Sequence, residues 1–77
     1  MKTVKIYTTP VCGFCHMAKR YFQANGISYT EIDVSEDRDA AQEVVNKTGQ
    51  LAVPVIEIDD EIVIGFDQPR LAKLLGV

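Results

Sequence analysis

The change of hydrophobic period within residues 1–34 constrains this chain most. From Thr3 to Thr8, Val4 and Ile6 alternate with Lys5 and Tyr7, the period-two pattern of a strand. Thr9-Pro10 ends that pattern, because the residue before a proline is driven away from helical backbone angles. From about Gly13 to Asn25 the period lengthens. Cys15, Ala18 and Phe22 stand at i, i+3 and i+7, flanked by Met17 and Tyr21, with Lys19, Arg20 and Gln23 on the other side. Asn25-Gly26 supplies a helix stop, and Ile27 to Val34 returns to β-branched and aromatic residues interleaved with polar ones. Two strands joined through a helix must lie parallel, with a right-handed crossover.

The rest of the chain repeats the alternation of elements without a linker, a repeat or a low-complexity stretch. Ser35 is the expected cap of a second helix, with Glu36, Asp37 and Asp39 facing the positive end of its dipole. Its apolar stripe is Ala41, Val44, Val45 and Thr48, and Gly49 ends it. Leu51 to Ile58 (LAVPVIEI) reads as a third strand in which Pro54, lacking an N–H, must sit at the start or on an edge. Asp59-Asp60 makes a hairpin turn into a fourth strand, Glu61 to Ile64. Gly65 ends that strand. Asp67 caps a last helix with Pro69 in its first turn and Leu71, Leu74 and Leu75 on its buried face. The hairpin requires an antiparallel pair. The order β-α-β-α-β-β-α therefore predicts an α/β domain with a four-stranded mixed sheet and three helices, the thioredoxin-like arrangement.

At 77 residues the chain has room for one domain, 1–77, whose core supplies no more than about 3 to 5 kcal/mol net. Small domains often add disulfides, but this one has two cysteines, Cys12 and Cys15, and a bridge across so short a loop constrains the unfolded chain little. The segment MKTVKIYTTPV lacks the apolar core of an export signal, and nothing approaches the ~18 apolar residues of a membrane span. A cytoplasmic protein with no membrane partner is expected, and in that compartment a cysteine pair is a redox, catalytic or metal-binding feature. Net charge is −3, which argues against nucleic acid as a partner. That total hides an asymmetry: residues 1–30 carry Lys2, Lys5, Lys19 and Arg20 with no acid, and all eleven acids follow. The cysteines lie in the basic part.

Cys12 falls where the strand and its proline turn hand over to the helix, with Cys15 nearly one turn on. That spacing suits a disulfide that opens and closes with little backbone motion. Unsatisfied N–H groups at a helix start stabilise an anion, so the Cys12 thiol is expected below its ordinary ~8.5, while Cys15, on the apolar stripe, stays protonated longer. Cys12 is then the attacking or leaving sulfur and Cys15 the resolving one. The competing readings are an inert bridge, two buried thiols, and metal chemistry. Cys12 to His16 also spells the C-x-x-C-H of c-type haem attachment, with His16 as axial ligand, although haem attachment accompanies export. A closed zinc site needs about four Cys or His ligands, more than this chain holds without a second subunit. No bound cofactor or metal is expected, and His16 reads as a solvent-facing residue.

The run KIYTTPVCGFC, the AVP at Ala52 to Pro54 and the GFD at Gly65 to Asp67 resemble the glutaredoxins and their close relatives. The resemblance covers essentially the whole chain. It implies a cis Val53-Pro54 bond facing the cysteines and a Val53 backbone that pairs with substrate. It also implies a substrate surface of Thr9, Phe14, Val53, Pro54, Gly65, Phe66 and Asp67. Disulfide-bearing proteins or small molecules would be the clients of a monomer, with glutathione or a flavoprotein disulfide reductase as reductant. Glutathione-using members carry a basic residue three before the first cysteine and another just ahead of the V-P. Here those positions are Thr9 and Gln50. Gly65-Phe66 with Arg70 is similar instead to redoxins that draw on thioredoxin reductase and serve ribonucleotide reductase. The CGFC run is also similar to the CGFS glutaredoxins, which share an iron-sulfur cluster across a dimer, with Cys15 replacing the serine.

Overall fold

The computed structural model describes residues 2–77. The elements run β1 (Val4–Thr8), α1 (Gly13–Ala24), β2 (Thr30–Asp33), α2 (Arg38–Thr48), β3 (Val55–Ile58), β4 (Glu61–Ile64) and α3 (Gln68–Leu75), in the order read from the sequence. The sheet order is β2-β1-β3-β4. β1 runs parallel to β2, with Lys5 opposite Thr30, and antiparallel to β3, with Val4 opposite Ile58; β3 and β4 form the hairpin.

Alternation along the central strands splits the core in two. Val4 and Ile6 of β1 join Ala18 and Phe22 of α1, Ile56 and Ile58 of β3, Val63 of β4 and Leu71 of α3 on one face. Tyr7, Val34, Ala40, Val44 and Val55 form the cluster on the other face, under α2. Burial on both sides explains why β1 is closed to solvent at Val4, Ile6, Tyr7 and Thr8. Phe22 anchors the first face, its ring 5.4 Å from that of Tyr29. Tyr7 is fully buried, and its hydroxyl donates to Glu43 Oε2 at 3.0 Å.

Several boundaries differ from the sequence expectation. β2 begins at Thr30 rather than Ile27, because the Ile27 amide turns back to the Phe22 carbonyl at 2.9 Å and closes α1 instead of pairing. Ser35 does not cap α2. Its amide and hydroxyl both donate to Asp33 Oδ1, at 2.9 and 2.6 Å, and hold a turn after β2. The cap is Asp37, whose carboxylate accepts the Ala40 amide at 3.0 Å. This later start puts Ala40 with Val44 on the buried face and leaves Val45 and Thr48 only partly covered. β3 starts at Val55, after a cis Val53-Pro54 peptide, so Leu51 to Val53 lie outside the ladder. Met17 is about half exposed rather than flanking the core. The helix stops hold: Gly49, at φ 82°, takes the left-handed conformation that ends α2.

One carboxylate oxygen ties three elements together. Glu31 Oε2 on β2 accepts from the Lys19 ammonium of α1 at 2.7 Å and from the buried Thr8 hydroxyl of β1 at 3.0 Å. The Lys19 contact is the main reason the Glu31 carboxyl sits below its ordinary value, with the Thr8 bond adding to it against the opposing effect of burial.

Two outcomes follow. Asp37→Ala is expected to destabilise the fold by about 1 kcal/mol, the usual value of an N-cap, in urea unfolding, while Ser35→Ala leaves α2 capped and costs less. A carboxyl that titrates lower when folded contributes stability that is present above its unfolded value and is lost as pH falls through its folded value. Glu31→Gln is therefore expected to be less stable than the parent at pH 7, with the gap narrowing in acid, as read from urea midpoints at both pH values.

Candidate functional site

The loop Thr9–Val11 carries the chain from the buried end of β1 to the start of α1. It bends back on itself, since the Cys12 amide donates to the Thr9 carbonyl at 3.3 Å. Cys12 is the residue that caps α1. Its backbone is extended (φ −90°, ψ 109°), and its sulfur accepts the Cys15 amide N–H at 3.1 Å. The structure holds Cys12 and Cys15 as a disulfide with Cα atoms 5.2 Å apart. Cys12 is partly exposed, whereas Cys15 is fully buried beside Ala18 and Phe22. The two sulfurs thus occupy unlike environments, an outward one at the helix start and an inward one on its packed face.

Around this pair the expected site residues divide. Pro54 and Gly65 are brought together: the Gly65 amide donates to the Pro54 carbonyl at 2.8 Å, so the turn after β4 abuts the cis peptide bond. Phe14 projects into solvent at 63% exposure. Phe66 turns inward, its ring edge-on to Tyr21 of α1 at 6.0 Å, and is partly covered. Asp67 caps α3 by accepting the Arg70 amide at 3.3 Å. Thr9 contributes its backbone to the loop, and the Gln50 amide bonds to Thr48 Oγ1, so neither position offers a positive charge.

His16 is exposed, and its Nε2 donates to the Pro10 carbonyl at 3.2 Å, linking α1 to the loop ahead of Cys12. It opens a groove of about 380 Å³ lined also by Lys19, Arg20, Gln23, Tyr29 and Glu31. Among the described residues, no cluster of three His, Cys, Asp or Glu side chains is placed to hold a metal ion. Sequence reasoning missed Val11, which stands 92% exposed beside Cys12, and the Thr8, Glu31 and Lys19 contact behind the loop. The signal for the latter was present, because Glu31 is the first acid after thirty residues without one.

The glutaredoxin family model matches residues 4–63. A glutaredoxin of Neisseria meningitidis is 42% identical over 79 aligned positions, covering all of this chain and 93% of that protein. A glutaredoxin-like 8.6 kDa protein of the Clostridium pasteurianum rubredoxin operon is 35% identical over 72 residues, 94% of this chain and 96% of the relative. Among solved structures, the glutaredoxin-like NrdH-redoxin of Escherichia coli superposes with a TM-score of 0.82 at 28% identity, covering 94% of this chain and 93% of that one. Similar in sequence and in fold along nearly its whole length, the chain belongs to the glutaredoxin family and is a thiol-disulfide oxidoreductase of thioredoxin-like fold.

Proposed function

We propose that this protein is a cytoplasmic dithiol electron carrier that reduces disulfides of client proteins or small molecules, with Cys12 as nucleophile and Cys15 as resolving thiol. One observation carries the reading: the cysteine that caps α1 is only partly covered and its sulfur already accepts a helix N–H, while its partner is fully buried. In the reduced protein the same N–H and the helix dipole favour Cys12 as thiolate.

The chemistry is two successive exchanges. Cys12 Sγ attacks one sulfur of the client disulfide, forming a mixed disulfide, and the departing client sulfur leaves as thiolate and takes up a proton. Cys15 then loses its proton and attacks Cys12 Sγ. The mixed disulfide breaks, the second client thiol is released, and the Cys12-Cys15 bond forms. Counted from the protonated pair, two electrons and two protons pass to the client. Val53, Pro54, Gly65 and Phe66 border the client's path, with Thr9 and Phe14 on the loop side and Asp67 setting the start of α3.

A second reading concerns the electron donor. Thr9 and Gln50 offer no positive charge to the carboxylates of glutathione, which favours a flavoprotein disulfide reductase as the source of electrons. The solved NrdH-redoxin of Escherichia coli, described as having a thioredoxin-like activity profile, is in line with that reading.

Cys12→Ser is expected to abolish disulfide reduction, and Cys15→Ser to accumulate mixed disulfides with clients, both visible by intact mass. Turnover surviving without Cys12 would sink the mechanism. Insulin reduction driven by glutathione and its reductase is expected to be weak beside the same assay driven by thioredoxin reductase. Gln50→Lys should raise the glutathione arm about two- to fivefold, the equivalent of one surface ion pair of about 0.4 to 1 kcal/mol.

A further inference from the structure

We infer that Lys19 and Glu31 act as a pair of positioning residues whose opposite charges largely offset each other at Cys12, and so set how readily its thiol ionises. The inference rests on the reading of Cys12 as the attacking sulfur. It concerns two residues outside the redox loop.

The geometry begins with α1. Lys19 lies seven residues after Cys12 and four after Cys15, a backbone rise of about 10.5 Å and about 6 Å along the helix axis. It is the charged side chain of α1 that turns back to the sheet, with 19% of its side chain exposed, and its ammonium meets Glu31 Oε2 at 2.7 Å. The same oxygen takes the hydroxyl of Thr8, the residue from which the redox loop departs. The carboxylate is therefore held from two sides, and the two opposite charges stay together. Opposite charges this close together offset most of each other's field at a more distant group. Removal of either charge exposes the other, and a unit charge about 10 Å away across a half-wet surface changes a thiol's titration by about 0.3 to 0.6 pH unit.

The consequence distinguishes an electrostatic role from a merely structural one. Glu31→Gln keeps an acceptor for Thr8 but leaves Lys19 uncompensated, which favours the thiolate. Lys19→Gln leaves the Glu31 carboxylate uncompensated, which disfavours it. The other ionisable groups on the neighbouring elements, His16 and Arg20 on α1, Asp33 on β2 and Asp67 at the start of α3, are common to every variant and drop out of the comparison.

The experiment is the pH dependence of iodoacetamide alkylation of Cys12 in the Cys15→Ser background, followed by mass, at about 10 mM and about 1 M salt. At low salt Glu31→Gln is expected to lower the midpoint by about 0.3 to 0.6 unit, Lys19→Gln to raise it by a similar amount, and the double variant to return near the parent. High salt should collapse the splitting, since screening then acts within about 3 Å. Thermal unfolding, by contrast, should shift in the same direction for both single variants. Midpoints that move together, or do not move, would overturn the inference. Site mapping on the reduced parent protein separates this from the underlying reading: if Cys15 is alkylated before Cys12, it is the assignment of the nucleophile that fails.

Discussion

The structure depends on how the first helix begins. A helix start leaves backbone N–H groups without partners, and most proteins answer with a serine, threonine, asparagine or aspartate side chain. Here the acceptor is the sulfur of Cys12, at 3.1 Å from the Cys15 amide. One contact therefore completes the helix and places the Cys12 sulfur in the field of its dipole. The proline turn, the direction of α1 and the burial of Cys15 on its packed face then follow from where that cap sits. A conventional cap at position 12 would satisfy the same amide and leave no chemistry.

That arrangement makes demands on the rest of the molecule, because the Cys12-Cys15 bond gives little back. Closing so short a loop restricts the unfolded chain by about 2 kcal/mol, under half the value of a ~100-residue loop, and only while the pair is oxidised. A carrier must stay folded in both states, so stability has to come from elsewhere. It comes from a sheet covered on both faces: Ile6 and Ile56 under α1 and α3, Tyr7 and Val55 under α2. Double burial of β1 also fixes the residue that launches the redox loop, since Thr8 is bonded through its carbonyl to the Val34 amide and through its hydroxyl to Glu31.

Much of this was legible from the sequence where a residue's local chemistry decides the outcome. Pro10, Gly49 and Asp67 each act through their own backbone or side chain, and each marks the boundary expected of it. The cis Val53-Pro54 peptide came from family resemblance, since X-Pro sequence by itself favours trans. Errors arose where two residues compete for one partner. Ser35 and Asp37 are both good caps, and Asp33 decides between them by capturing the Ser35 hydroxyl. Ile27 has the composition of a strand residue, but the open end of α1 claims its amide first. Neither contest can be seen in periodicity, because each is settled by a contact across a turn.

The same limit applies to charge. Residues 1–30 contain no acid, which from sequence gives the cysteines a basic flank. Folding changes that picture, because it brings Glu31 back against Lys19 and sends the Lys2 ammonium to the Leu74 carbonyl at the end of α3. On α1, the cation that keeps no acidic partner among the described residues is Arg20, exposed along the open groove. Beside Cys12, Val11 and Phe14 project as exposed apolar side chains from the loop and the helix start. Pairing Lys19 with Glu31 thus withdraws a charge that the sequence places on the cysteine helix, and the exposed side chains left beside Cys12 at Val11 and Phe14 are apolar ones.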